Sequence, residues 1–398
     1  MNRLRDTVVW GLGAAQCVYW GILYYAYSVL LVPMSDTFAV PTGHIAGAFS
    51  LGLAVSALLA PAVGRRLDHG QGIVLLQWGA VAGGALLLAW SCVSSVTQLY
   101  AVWAGLGLCM ALVLYETAFS LVTRAIDDPS QRLRALASVT VAGGLASSVF
   151  LPLVGTGVAA LGWRATLQGL AIVWLLATVL LVRYTLPALR QAQRAIALAP
   201  TAAPAAVTAR RAVWMTGAPF VVATFAAMAV TTVLVPHLVA RGHSLAAASW
   251  VLAALGVMQL PGRLWLWRSG TLALSPRLLL VGSPVLQVAG LCVLAVASGV
   301  VGAAAGVALF GVGAGMHTLA RPWIVPLRFG TAAAGQVNGA IARAQGAARA
   351  AGPFAAAWAA DRVGGAPVFV VLALVLLVCL PLAWSAGAPA SPPEQLPG

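Results

Sequence analysis

Charge is scarce in this sequence. Charged side chains make up 8% of its 398 residues, only eight of them are acidic, and the 22 basic residues include no lysine. A soluble domain carries about a quarter charged residues, so this chain lacks the polar surface that water demands. Cysteine chemistry is missing as well. Cys17, Cys92, Cys109, Cys292 and Cys379 form no C-x-x-C pair and no metal-ligand spacing, and all fall inside apolar runs, where a thiol is a small packing group. The apolar runs contain no H-E-x-x-H, no paired aspartates and no Ser-His-Asp grouping. An enzyme is therefore not expected, nor is a cofactor or a metal site. The net charge of +14 would suit nucleic acid, but the arginines sit between hydrophobic runs as membrane anchors do, so no nucleic-acid partner is expected.

What is abundant is apolar length, with 61% of the residues hydrophobic. A helix crossing a bilayer needs ~20 mostly apolar residues. Segments of this kind fall at 8–33, 44–63, 73–94, 98–122, 135–160 and 165–186, then at 213–238, 244–264, 277–298, 300–322, 337–359 and 366–386. The fold class expected is an all-α integral membrane protein of twelve transmembrane helices with the lipid bilayer as its solvent. The first run is too long for the apolar core of a secretory signal. Residues 1–186 form one six-helix bundle and 212–386 a second. Residues 187–211, rich in Pro, Ala and Arg, read as a cytoplasmic linker, and 387–398, rich in Pro and Ser, as a cytoplasmic tail.

Arginine placement sets the orientation. With the N-terminus inside, fifteen arginines fall in segments on that side, and only Arg164, Arg241 and Arg362 in loops on the other. Cytoplasmic loops carry the excess of basic residues, so both termini are expected in the cytoplasm. The Arg-only basic set, with the richness in Ala and Gly, points to a GC-rich bacterial genome and hence to a multi-pass protein of the bacterial inner membrane. The halves also look like copies. Leu31-Val32-Pro33 matches Leu234-Val235-Pro236, Gly43-His44 matches Gly242-His243, and Gly64-Arg65 after Pro61 matches Gly262-Arg263 after Pro261. Such parallel repeats are typical of six-plus-six transporters.

The loop after the second span reads Gly64-Arg65-Arg66-Leu67-Asp68-His69-Gly70-Gln71-Gly72. It resembles the G-x-x-x-D-R-x-G-R signature of the major facilitator superfamily, with His69 in place of the usual arginine and the trailing basic pair absent. Gly162-Trp163-Arg164, Phe329-Gly330 through Gly352-Pro353, and Tyr115-Glu116-Thr117-Ala118-Phe119 resemble the monocarboxylate and oxalate/formate-antiporter-like branch. The resemblance implies two bundles rocking about a central site, with Asp68 helping to lock them together in the outward-facing state. Gly64, Arg65, Arg321 and Arg343 are the companion gating candidates. The sequence departs from the superfamily at Trp103, where an arginine often stands, and Gly143-Gly144 lies well before Pro152, so the glycine-proline motif of many drug antiporters is not formed.

Charge at membrane depth costs a few kcal/mol, so each instance needs a reason. Glu116 is the acid within a span; it either binds a coupling proton or pairs with a cation, and the bland alternative is a tie between helices. Arg349 falls near the middle of the eleventh span and is the best candidate for contact with a substrate. Arg343 and Arg321 serve equally as snorkelling anchors. His317 lies four residues before Arg321, on the same helix face. Tyr24 and Tyr25 are too deep for an interfacial belt, and one of them is expected to face the cavity. Tyr24, Tyr25, Glu116, His317 and Arg349 thus form the candidate substrate set. Guanidinium groups recognise carboxylates bidentately, which together with the resemblance leads to a secondary transporter for a small organic anion such as a monocarboxylate. Protons are one candidate coupling ion, and a monomer is expected. The alternatives are proton-driven efflux of amphipathic toxicants and a non-transporting membrane sensor.

Overall fold

In the computed structural model the described residues are 2–126, 128–194, 210–269 and 276–386; some side chains within these ranges, including those of Asp68, Arg263 and Arg268, are outside the description, as are 195–209 and the predicted tail 387–398. The chain is helical almost throughout. In order the helices are α1 (Asn2–Trp20), α2 (Ala26–Phe38), α3 (Thr42–Asp68), α4 (Gly72–Ser91), α5 (Val96–Val113), α6 (Tyr115–Ala125), α7 (Pro129–Gly144), α8 (Ala146–Leu180), α9 (Leu186–Arg194), α10 (Arg210–Ala240), α11 (Leu245–Ser269), α12 (Pro276–Val296), α13 (Val300–Val363), α14 (Gly365–Val378) and α15 (Leu380–Ala386).

Nine helical stretches among the described residues are long and apolar enough to cross a membrane. Two of the longest helices fold back. Helix α8 runs through Gly162, whose φ of 78° breaks the helix. Before the break, Val139 and Ala142 approach Gly13, and Phe150 lies against Gly21; after it, Trp163 bonds Thr37 and Tyr19 meets Thr178. The chain therefore runs alongside the first pass and then returns. In α13, Arg321 bonds the Gln345 side chain, whereas a straight helix would hold residues 24 apart roughly 36 Å from each other. The chain reverses between them. With the shorter apolar helix Leu245–Pro261, the arrangement is consistent with twelve passes. The first residues of the predicted linker are helical. Residues 187–194 continue a helix that buries Leu186, Ala188 and Leu189, because apolar residues there share one face even though the segment as a whole is polar.

The repeat appears in the backbone more clearly than in the residues. Ala39 (φ 51°) and Gly242 (φ 86°) both sit eight positions after the leucine of their Leu-Val-Pro triplets. Val40 N donates to Ser35 O and Ala39 N to Asp36 O; His243 N donates to Leu238 O and Gly242 N to Val239 O. These are the paired bonds of one helix-ending motif, formed twice. Gly162 and Gly364 likewise share φ near 80° and ψ near 165°. The Gly-His pairs are not structural equivalents: Gly43 lies within α3, and Ala39 is the counterpart of Gly242. Gly70 (φ 80°) ends α3 with the same motif, as Gln71 N donates to Arg66 O and Gly70 N to Leu67 O.

Close packing inside each half relies on absent Cβ atoms, the usual means by which helices approach in lipid. A Cβ on Gly107 would lie 2.3 Å from Gly52 O, and one on Gly315 would lie 2.2 Å from Gln259 O. Contacts between the halves gather toward the end of the molecule that carries Phe38 and Thr42. There Thr42 Oγ1 and Gly43 N donate to the two carboxylate oxygens of Asp361 at 2.6 and 2.7 Å. Phe354 N donates to Ser50 Oγ at 3.0 Å and Gly155 sits against Ser249; nearer the middle, Gly256 sits against Ser147. At this far end described residues of the two halves thus bond directly. The opposite end carries the N-terminus, where Arg5 bonds Gln131 at 2.6 Å.

Candidate functional site

The first pass is regular up to Trp20 and then widens into a π turn, Gly21–Tyr25, in which Ala26 N bonds Gly21 O. Such turns change the direction of the residues that follow and occur often at functional sites. Here Gly21 makes the shift possible, since a Cβ on it would meet the Phe150 ring at 2.2 Å. The turn aims Tyr24 across the midline, and its hydroxyl donates to Met228 Sδ in the other half at 2.6 Å. The Tyr24 ring touches Trp20, Tyr25 and Phe49 with centroids 4.9 to 5.6 Å apart. Trp20 also meets Tyr115, which stacks on Phe119. The N-terminal half thus presents an aromatic wall.

The C-terminal half presents a polar network. Arg321 donates to Gln345 Oε1, and Gln345 Nε2 donates to Thr224 Oγ1 at 2.7 Å and to Phe220 O at 3.3 Å. His317, one turn before Arg321, contacts Ser283 Oγ through Nδ1 at 3.2 Å and lies 4.6 Å from the Phe220 ring centroid. Gln287 Nε2 reaches the same Ser283 oxygen at 3.4 Å. Arg349 is exposed on its helix and lies within electrostatic reach of both the Tyr24 phenol and Arg321. Two guanidinium groups are thereby held near each other at membrane depth. Among the described residues the ion pair found is Arg5 with Asp6, at the terminal end of the molecule, so neither guanidinium has a carboxylate partner there.

The fourth pass is broken where the sequence suggested a continuous helix. Leu114 adopts an extended conformation (φ −78°, ψ −170°) between α5 and α6. The freed carbonyls find side chains: Gln16 Nε2 donates to Val113 O at 2.6 Å, and Thr117 Oγ1 to Ala111 O at 3.4 Å. A broken helix in a membrane is tolerated where neighbours satisfy the backbone in this way. Glu116 falls in the first turn of α6, where a carboxylate is favoured by the helix dipole. It is exposed, on the face opposite the buried Thr117, Ala118, Leu121 and Val122.

The structure joins Tyr24 to Tyr25 by ring contact and sets Tyr24, Arg349, Arg321 and His317 each within electrostatic reach of the next. No contact among the described residues joins Glu116 to them. Of the expected gating set, the Asp68 side chain lies outside the described residues. A Cβ on Gly64 would meet nothing within 4 Å; the turn glycine is Gly70, and Gly72 is the one pressed against Leu121 and Leu67. Arg65 is exposed in a groove with Arg66 and His69. Arg343 and Arg210 line a cavity of about 580 Å³ between α10 and α13. Arg321 belongs to the interior network.

The sequence reading, which followed charge, passed over Gln345, Thr224, Ser283, Gln287 and Asp361. The two glutamines could have been found as amides stranded in otherwise apolar spans. The three arginines of the far-end loops have structural tasks. Arg164 donates to Val93 O at 2.7 Å and Arg241 bonds Ala297 O, each closing a carbonyl at the end of a neighbouring helix, while Arg362 lies 3.6 Å over Trp358. Among the described residues no cluster of three or more His, Cys, Asp or Glu could hold a metal ion.

Among solved structures, the chain resembles a bacterial homologue of the human lysosomal transporter Spinster in two inward-facing forms. For the occupied form the TM-score is 0.73 at 12% identity, covering 96% of each chain; for the unoccupied form it is 0.71 at 12% identity, covering 97% of this chain and 98% of that one. No curated protein matches the sequence. The Major Facilitator Superfamily profile matches residues 10–353, nearly the whole helical body, and the chain belongs to that superfamily of membrane transporters.

Proposed function

We propose that this secondary transporter carries a small organic anion with an apolar body through the bacterial inner membrane by alternating access, with the termini in the cytoplasm. The observation that supports it is the pairing of Arg321 and Arg349 within electrostatic reach of each other, opposite the Tyr24 phenol. Two uncompensated cations at membrane depth are costly, and an anionic ligand relieves that cost while accepting charge-assisted hydrogen bonds. The bonded far end, with Asp361 accepting from the first turn of α3, and the open space around Gly64 fit a state open toward the terminal end. In the alternate state the loop around Asp68, with Arg65, closes that end while the Asp361 contacts part.

A second reading, efflux of amphipathic compounds, draws on the aromatic wall of Trp20, Tyr24, Tyr25, Phe49, Tyr115 and Phe119. Proteoliposome transport of lactate, oxalate and benzoate, set beside a panel of hydrophobic cations, separates the two. Saturable movement of a carboxylate that Arg349→Ala abolishes is the expected result. Folded protein that moves the cations and none of the anions would overturn the anion reading.

A further inference from the structure

We infer that His317 is the proton-binding site of this transporter, taking a proton on Nε2 when an anion is held at Arg321 and Arg349. The inference rests on the anion reading above and adds to it the coupling ion and its seat.

The hydrogen bonds around Ser283 fix the imidazole tautomer. Ser283 has one hydroxyl proton, which it gives to Gly313 O at 3.0 Å. Its oxygen accepts from Gln287 Nε2 at 3.4 Å. The 3.2 Å contact with His317 therefore has Nδ1–H as the donor. A neutral imidazole protonated on Nδ1 keeps Nε2 as a bare acceptor. Among the described residues Nε2 has no hydrogen-bond partner, although His317 is only 6% exposed, and the same holds for Oε1 of Gln287, which is 1% exposed. A buried polar atom left unpaired is costly. Two orphaned acceptors in one cluster cannot satisfy each other, but a proton on Nε2 converts one of them into a donor. Gln287, anchored to the same serine oxygen, then supplies the acceptor, directly or through a water.

The charges around His317 set the order of events. On its own helix Arg321 is within electrostatic reach. Helix α12 offers Ser283 and Gln287, α10 offers the Phe220 ring with Thr224 beyond it, and the returning limb of α13 offers Gln345 and Arg349 beside Arg321. None of these is acidic, so the empty site opposes an imidazolium. An anion between the arginines reverses that field. Binding of the anion thus draws a proton onto Nε2, and by reciprocity the proton tightens the anion. A monovalent anion and its proton travel together, adding no net charge to the loaded site.

The test is titration calorimetry of the solubilised full chain with benzoate, run in buffers of different ionisation enthalpy so that proton uptake is counted. In the wild type about one proton enters per benzoate near neutral pH, and benzoate affinity falls by up to about tenfold per pH unit above it. His317→Asn, whose amide can still donate to Ser283, binds benzoate with no proton uptake and a flat pH profile. A measurement that needs no variant is nitrogen NMR of the histidine-labelled wild type. Benzoate should convert one imidazole of the five from the Nδ1–H tautomer to the doubly protonated form. Wild type that binds benzoate without taking up a proton, or His317→Asn that still takes one up, overturns the inference. Uptake lost in Glu116→Gln and kept in His317→Asn would move the proton to α6. Failure of the wild type to bind benzoate, lactate or oxalate is a different result, because it removes the anion reading itself.

Discussion

The two halves of this molecule share a backbone plan and differ in what they offer a ligand. Each ends its first pass with the same paired bonds, at Ala39 and at Gly242, and each presses its fourth helix against its second through a glycine, Gly107 on Gly52 and Gly315 on Gln259. The lining does not repeat. The N-terminal half contributes rings, centred on Tyr24, whereas the C-terminal half contributes a hydrogen-bonded network with two guanidinium groups. A duplicated scaffold needs its turns and close contacts in both copies, because these hold the helices together. The remaining interior side chains carry no such duty and differ, rings in one half and hydrogen-bonding groups in the other.

The largest effect tests the shared scaffold. Gly107→Val and Gly315→Val each drive a branched side chain into backbone 2.3 and 2.2 Å away, and each should destabilise by about 3 kcal/mol or more. Thermal unfolding in detergent, with Gly64→Val as the control in open space, reads the effect. Similar losses in the two halves support a common packing plan. Tolerance in one half alone would show that the resemblance is confined to the turns.

The next effect tests the division of labour. Arg349→Ala should weaken anion binding by about 100-fold, the scale expected when a charge-assisted, partly desolvated contact is removed. Arg321→Lys keeps the charge but loses the planar fork that grips Gln345 and an anion together, and should cost roughly tenfold. Tyr24→Phe removes only a hydroxyl directed at a thioether sulfur and should cost no more than about threefold, since such bonds are weak. Calorimetry with benzoate ranks the three. If Tyr24→Phe proves as damaging as Arg349→Ala, the aromatic half is recognising the charge and the contrast between the walls is wrong.

Much of this architecture was legible in the sequence because apolar length is dictated by the bilayer itself. The helix boundaries at 42, 72, 96 and 210 fall close to the ends of the apolar runs. Two kinds of feature were not legible. The break at Leu114 and the π turn at Gly21 have no proline to announce them; Gln16 and Phe150, far away in sequence, accommodate them. The network around Arg321 was half visible: its arginines and His317 stood out as costly charges, while Ser283, Gln287 and Gln345 are neutral residues whose role appears only when three helices meet. Glu116 shows the converse. Its charge made it a candidate, and the structure places it on the exposed face of α6, with no contact among the described residues to the cluster.

The smallest effect returns to the turn the halves share. Ala39 holds φ at 51° where its counterpart Gly242 holds 86°. An L-residue with a Cβ is strained in this region, and glycine is not. Ala39→Gly therefore relieves strain in the folded state but also loosens the unfolded chain, and the two oppose each other. The relief is the larger, so a gain of roughly 0.5 kcal/mol is expected. Gly242→Ala makes the reverse exchange and should lose a similar amount or somewhat more, because its φ lies further from the region that alanine tolerates. Opposite shifts in unfolding temperature from these mirror substitutions would mean that the two turns are one structural element with different histories. Shifts of the same sign would mean that Ala39 is held by contacts Gly242 lacks, and the repeat would end before the first loop.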